Sequence, residues 1–424
     1  MATVTHKILG LGDWSYSRAR GRTEIAYERT TDKLYKSYFG RSDSVAMRAQ
    51  PLAGFDYSLW FSCAACGTRI AVGADEYSLQ EAGEMAYPGC SCGCEIDISS
   101  AQPVIRSVDD PVVDDVAVDQ VEWYHSSCTR DWPNAELYRA SLVSQLAASA
   151  LPTSDVQQML TWKTGLALHL GTYEAAVENM LRRAADQDDP RTTRYWLHRV
   201  RLRLAPGDLH PHVTTELVGA FGDVELARVH ELGARVVRYV NTREAAGSLS
   251  LAIDPSVIGE VSTIAIPVAT AADGQAEASS RAAAAAVSAL NQLGPRPDTA
   301  GFSDIDLNPV MLEIRAANPD DPHDIACRVL ARRLEEHQDR SHIIWSRLTG
   351  QLTRDYLYEV NSRVRGAFLE AVQPQTDPHE YHDRFRITAG LLTHPSDVMT
   401  ALRKAPRRTI ECRGGSGRPA ITDS

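Results

Sequence analysis

No run of this sequence approaches the about twenty apolar residues that a helical bilayer span requires. No secretory leader is expected either. The chain opens Met1-Ala2-Thr3-Val4-Thr5-His6-Lys7, and the short apolar run after it is broken by Gly10, Gly12 and Asp13. Basic charge is not in excess: 44 Lys and Arg face 55 Asp and Glu, a net charge of -11. That argues against a whole-chain affinity for nucleic acid or an anionic membrane, though not against a local basic patch. Internal repeats are lacking as well. The expectation is a cytoplasmic protein with no membrane partner. Its 8 cysteines are then read as reduced thiols or metal ligands rather than disulfides.

What is present suits a soluble protein of mixed structure. Hydrophobic residues are 43% and charged residues 23%. A chain of 424 residues is too long for one core, so several domains are expected. Residues 1–60 read as a small β-rich segment, with Thr23–Arg29 and Lys33–Phe39 as candidate strands. Residues 61–100 hold five of the cysteines. Residues 101–120 read as an acidic linker: Glu95 to Glu122 carries eight acids and one base, Arg106. Residues 121–270 mix helix and strand, with strands at Leu197–Leu204, Val236–Val240 and Ser248–Ile253. Residues 271–404 read as mainly helical: one helix over Ala276–Leu293, one capped by Asp321 with Ile325, Val329, Leu330 and Leu334 as its face, and a second from Ser341 to Val372. Residues 405–424, rich in Gly, Arg and Pro, read as a disordered tail.

Cys63-Ala64-Ala65-Cys66-Gly67 has the form of a metal-binding knuckle. The spacing turns two thiolates toward one ion, and the glycine permits the tight backbone. Twenty-three residues later comes Cys90-Ser91-Cys92-Gly93-Cys94. Cys90 and Cys92 are the expected second pair, because Cys92-Gly93 repeats Cys66-Gly67; Cys94 is the alternate. Residues 61–98 resemble a zinc ribbon, with a strand and a loop between the knuckles. The resemblance implies structural Zn2+, since four thiolates leave no open position.

Three further segments stand out. Trp123-Tyr124-His125-Ser126-Ser127 reads as a strand whose imidazole can bond a ribose hydroxyl. Leu168-His169-Leu170-Gly171-Thr172-Tyr173 reads as a strand, a glycine turn and a helix start. Glu244 lies in a loop between two strands, where a carboxylate can face a cleft and stabilise developing positive charge. In order, Tyr124-His125, His169-Leu170-Gly171-Thr172 and Tyr239-Val240-Asn241-Thr242-Arg243-Glu244-Ala245-Ala246-Gly247-Ser248-Leu249-Ser250 resemble the ADP-ribosyltransferase superfamily. The likeness is to compact bacterial and phage members of the His-Tyr-Glu type, over residues 121–253.

That resemblance implies an α+β chain. Its centre is a split, two-sheet transferase-like domain, preceded by the β-rich zinc-ribbon module and followed by the helical domain. It implies NAD as substrate, with the nicotinamide–ribose bond broken through an oxocarbenium-like transition state. Catalysis would fall to Glu244, His125 and Tyr173, with Tyr195 as the other candidate ring. His125, Ser126, His169, Gly171, Thr172 and Tyr173 would line the NAD site. The zinc module and helical domain would serve recognition of a macromolecular acceptor, protein or nucleic acid. Thr242 stands where arginine-directed members carry an acid, so arginine is not implied as acceptor. Two other readings are open: an NAD-dependent RNA 2′-phosphotransferase using Arg199, Arg201 and Arg203, and a non-catalytic zinc-stabilised interaction protein. His379-Glu380-Tyr381-His382 is a weaker metal-like motif, its histidines three apart.

Overall fold

The computed structural model describes residues 53–410, apart from 85–87, 99, 100, 102, 148–151, 189–192, 216–222, 267, 269–276, 317–320, 375 and 376. The strands expected at 23–29 and 33–39 lie outside the described residues, as do Cys412 and the tail from 411. The protein is mixed α+β, with eleven helices and three small sheets among the described residues. It divides into two compact units. Unit one holds residues up to Ile266 together with Asn361–Ala371 and the chain from Pro395. Unit two holds Pro267–Val360 and Val372–His394.

Unit one is built on two four-stranded sheets. The first has the order β10-β9-β5-β3, with β3 Trp123–Ser127, β5 Tyr195–Leu202, β9 Ile258–Ile266 and β10 Arg407–Thr409. All its neighbours are antiparallel. The second has the order β4-β8-β7-β6, with β4 Leu168–Leu170, β6 Leu209–Thr215, β7 Val236–Val240 and β8 Leu249–Ile253. Only β6 and β7 run parallel. Alternate residues share a strand face, and one face of each sheet meets in a common core. Trp123, Val200, Leu202 and Val261 come from the first sheet, and Leu170, Val236, Val240, Leu251 and Ile253 from the second. Burying each such side chain stabilises by about 1.5–3 kcal/mol. Tyr124 and Gly171 join the sheets by two backbone hydrogen bonds of 2.9 and 3.0 Å.

The acidic segment 101–120 differs from the extended linker expected. Two short 3-10 turns, Pro111–Val113 and Asp115–Ala117, are capped by Asp110 and Asp114. The apolar residues of the segment explain this: Ile105, Val112 and Val118 enter the sheet core. Asp115 also pairs with the fully buried Arg238. The acids that suggested a solvated chain therefore act as caps and ion partners.

Helices of unit one follow their capping residues. Helix α1 (Ala74–Glu81) lies in the cysteine module. Helix α2 (Ala135–Ala147) buries none of its side chains, and α3 (Thr153–Thr164) buries Leu160. Helix α4 (Tyr173–Asp186) starts at Thr172, whose hydroxyl accepts from the Ala175 amide at 3.3 Å. A short α5 (Leu226–Glu231) contributes Val229 to a cluster with Val237, Tyr239 and Ala252 on the outer face of the second sheet.

Unit two is helical: α6 (Glu277–Leu293), α7 (Pro309–Arg315), α8 (Pro322–Tyr356) and α10 (Pro378–Thr393). Unit one regains the chain at α9 (Ser362–Ala371) and α11 (Pro395–Lys404). Asp321 caps α8 as expected, accepting from the amides of His323 and Asp324. The helix then continues for 35 residues through the boundary expected near 341, since no proline or glycine interrupts it before Gly350. The break falls instead at Leu357–Asn361. The expected face of α8 is also shifted. Ile325 and Val329 are 44% and 48% exposed, whereas Cys327, Leu348, Leu352 and Tyr356 are buried. No helix among the described residues is long and apolar enough to cross a membrane.

Candidate functional site

The cysteine module begins with β1 (Leu59–Ser62) and β2 (Arg69–Val72), paired antiparallel. Cys63 opens the turn between them. Its amide donates to the Thr68 carbonyl at 2.9 Å and its carbonyl accepts from Gly67 at 2.8 Å. Gly67 has φ +73°, a left-handed conformation that favours glycine. The second knuckle repeats the design: Cys90 donates to the Cys94 carbonyl at 2.7 Å, Gly93 donates to Cys90 at 2.8 Å, and Gly93 has φ +90°. Between the knuckles stand β2 and α1, where a strand and a loop were expected.

The turns bring Cys63, Cys66, Cys90 and Cys92 together, each sulfur within 4.8 Å of the others. The Cys63–Cys92 and Cys66–Cys90 sulfurs are 3.7 and 3.4 Å apart. A tetrahedral ion with sulfurs at about 2.3 Å would set its ligands about 3.8 Å apart, so these four residues can hold a metal. Electrostatics agree. Bonds from Thr68 and the neighbouring sulfurs draw the Cys66 thiol down to about 6. Cys92, despite a bond from the Cys94 backbone, is pushed up by the sulfurs of Cys90 and Cys66. Sulfurs this close cannot all ionise without a cation among them. Cys94 remains outside the group of four.

A second group, Asp306, His323 and Cys327, lies in unit two. Its centre is served by an arginine already: Arg315 bonds Asp306 at 2.9 Å and lies 3.9 Å from the Cys327 sulfur. The motif at His379–His382 forms no metal-compatible group among the described residues. His382 instead bonds the Tyr356 hydroxyl at 3.2 Å.

Glu244 sits in the loop between β7 and β8. Asn241 shapes that loop, its side-chain oxygen accepting from the amides of Arg243 and Glu244 at 3.0 Å each and its nitrogen donating to Ser250 at 3.1 Å. Ala245 then takes φ +49°, the only positive φ outside glycine among the described residues. Such backbone persists only where its surroundings fix it. Here Glu178 of α4 accepts from the Ala245 amide at 2.9 Å and from the Tyr57 hydroxyl at 2.5 Å. Burial raises the Glu178 carboxyl to about 7. The Glu244 carboxylate accepts from Arg182 at 2.8 Å and from Asn179 at 3.4 Å.

His125 and Glu244 are not bonded to each other. The link runs through neighbours: Ser126 donates to Asn179 at 3.5 Å, and Asn179 donates to Glu244. Ser126 shares its strand face with Tyr124, toward α4, and the His125 ring points to the other side. There it stacks on Trp132, centroids 4.3 Å apart, beside His198. The His125 Nδ1 donates to the His169 carbonyl at 2.9 Å, which leaves Nε2 as an acceptor. Burial lowers His125 to about 3, so the ring is neutral.

His169 bonds the Tyr239 hydroxyl through Nδ1 at 2.9 Å. Its Nε2 is buried and has no hydrogen-bond partner. Burial lowers this ring to about 4, against opposing pulls from Asp223 and Glu244. An unpaired buried nitrogen is an atom that a polar ligand can satisfy.

Other expected site residues have structural employment. A Cβ on Gly171 would meet the Ala175 Cβ at 2.8 Å, so this glycine permits close approach of helix α4 to β4. Thr172 caps that helix. The Tyr173 ring is 2% exposed and held edge-on between Phe55 and Tyr124, so it presents no open face to a planar ligand. A residue in the first turn of α4 points back onto β3, which accounts for that placement. Tyr195 is also buried, its hydroxyl bonding Asp188 at 2.9 Å. Arg199 is 4% exposed and pairs with Glu122 at 2.7 Å, within a network that includes Arg403 and Tyr124.

Sequence reading missed Asn179, Arg182, Glu178, Trp132 and His198. The first three lie on one face of α4 at helical spacing, which the sequence does reveal. The Trp132–His198 contact spans two distant segments and leaves no local signal. No protein-family model, curated protein or solved structure matches the chain.

Proposed function

We propose that this chain is an NAD-dependent ADP-ribosyltransferase whose cysteine module holds a structural Zn2+. The observation that carries the reading is the presentation of Glu244. Its carboxylate is oriented by Arg182 and Asn179 on a loop set by Asn241, and it acts electrostatically on the neutral His169, whose Nε2 is unpaired. His169, through its unpaired Nε2, and His125, through the Nε2 left as acceptor, suit ribose hydroxyls.

The reaction needs little beyond these groups. The bond from the ribose C1′ to the nicotinamide nitrogen breaks, and its electron pair leaves with nicotinamide. Positive charge develops on the ribose, and Glu244 supplies a fixed negative charge there. A nucleophile of the acceptor, or water, then forms the new bond at C1′ and loses its proton. The acceptor is a protein or a nucleic acid. The absence of a disulfide among the seven described cysteines and NAD as substrate both suit the cytoplasm. For RNA 2′-phosphate transfer the engagement of Arg199 with Glu122 counts against a free arginine face on β5.

Incubating the protein with adenylate-labelled NAD and a cell extract tests the proposal. Label on a macromolecule, with free nicotinamide, is the expected result. Release of free ADP-ribose alone would make the protein an NAD hydrolase. Intact NAD would leave the zinc-stabilised scaffold as the correct reading.

A further inference from the structure

We infer that the metal-binding cysteine module positions Glu244, and is a wall of the catalytic site rather than a separate recognition element. The inference takes the role of Glu244 from the transferase reading; the coupling of metal to loop stands on its own contacts. Ala246, two residues past Glu244, is fully buried in the core of the module. Its partners there are Leu59, Phe61, Val72 and Ile96, with Cys63 and Cys90, two of the four clustered cysteines.

The next residue is fixed to the same body. Gly247 accepts from the Arg106 amide at 2.7 Å, and the adjoining Val104 amide donates to Trp60 of β1 at 2.8 Å. Arg69 of β2 donates to the Arg106 carbonyl at 3.1 Å. Gly247 has φ +83°, and a Cβ there would lie 2.8 Å from the Val104 carbonyl oxygen. The loop backbone thus lies against a segment tied to both module strands. On its other side it is held by Glu178 through Ala245 and by Arg363, which donates to the Arg243 carbonyl at 2.6 Å.

Ala245 connects these supports with a left-handed backbone that an L residue adopts only at a cost. Removing one support lets it relax. The module is the support most easily removed. It has few buried side chains, and cores of that size commonly depend on a metal. Metal binding therefore maintains the pocket for Ala246, and that pocket sets where the Glu244 carboxylate stands.

Hydrogen exchange on the full chain, loaded with zinc and then stripped by a chelator, tests the coupling without reference to activity. The amides of Ala245, Gly247 and Ser248 are expected to exchange at least about tenfold faster after stripping, within the usual range of site-to-site coupling. Those of β5 and β9 should stay protected. Unchanged exchange at 245–248 would overturn the inference. Equal acceleration in β5 and β9 would overturn it too, because the metal would then support the whole unit.

Linkage is reciprocal, so a change in the loop must weaken the metal. Gly247→Ala is expected to lower zinc affinity by about fivefold or more in competition with a chromogenic chelator. Unaltered affinity in the folded variant contradicts the proposal; if that variant does not fold, the exchange result on the wild-type chain decides. If the coupling is found but the wild-type protein leaves NAD intact, the transferase reading fails and the coupling holds.

Discussion

Glu122 shows how one side chain can matter for stability while looking like a surface acid in the sequence. Burial by itself would raise its carboxyl, but Arg403 and Arg199 outweigh that and hold it at about 2. Glu122→Gln leaves the 4% exposed Arg199 without its anion. Breaking a buried pair in this way costs about 3–5 kcal/mol. The exposed pair Arg228–Glu231, 60% and 65% accessible, is the control. Removing it with Glu231→Gln should cost less than about 1 kcal/mol. Chemical denaturation of the two variants measures both, and equal losses would show that the Glu122 network is no stronger than a surface pair.

At the level of elements, the junction of β4 with α4 carries a direct test. Gly171→Ala places a methyl group 2.8 Å from the Ala175 Cβ while Thr172 holds the helix start in place. Helix and strand must then separate, at a cost of about 1–3 kcal/mol. A thermal midpoint equal to wild type would show that the glycine is there for some other reason. The glycine and threonine stood out in the sequence, and their strand–turn–helix context was readable from local pattern. Their employment in packing and capping was not, because it depends on β3 and Ala175. The strands at 195–202, 236–240 and 249–253 were legible for the same local reason, an alternating apolar pattern. The cysteine spacing likewise placed the four thiols that the fold brings together as a possible metal site. The single long helix α8 was not legible, since a polar stretch in its middle resembles a boundary when no partner is visible. The orientation of Tyr173 depends on Phe55, which lies over a hundred positions earlier, and Glu178 reads as an ordinary helix surface acid until Tyr57 and Ala245 are placed beside it.

On the scale of the whole molecule, three histidines of unit one are kept neutral by burial: His125 at about 3, His169 at about 4 and His198 at about 2, against an ordinary 6.5. Unfolding frees them to bind protons at 6.5. The unfolded state therefore binds more protons than the folded state below that pH, and stability falls as pH drops from about 6.5 toward 4. Glu122 adds a separate loss lower down, between its ordinary 4.5 and about 2. Urea unfolding at pH 7 and pH 5 should show a clear decrease in stability, with a net proton uptake on unfolding of about two at pH 5, because Glu178, raised to about 7 by burial, releases most of a proton as the three histidines take theirs up. His198→Asn should reduce that uptake by about one proton. A flat profile from pH 7 to 5 would mean that these rings are charged in the folded protein.

The account as a whole depends on Glu244 acting on the ribose of NAD. Free nicotinamide released by the wild-type protein and by Glu244→Gln, each shown to be folded by circular dichroism, tests this most directly. The expected result is release by the wild type and a rate at least about 100-fold lower for the variant, the size typical for loss of a group that stabilises transition-state charge. Equal rates in the two proteins, or no release by either, would contradict it.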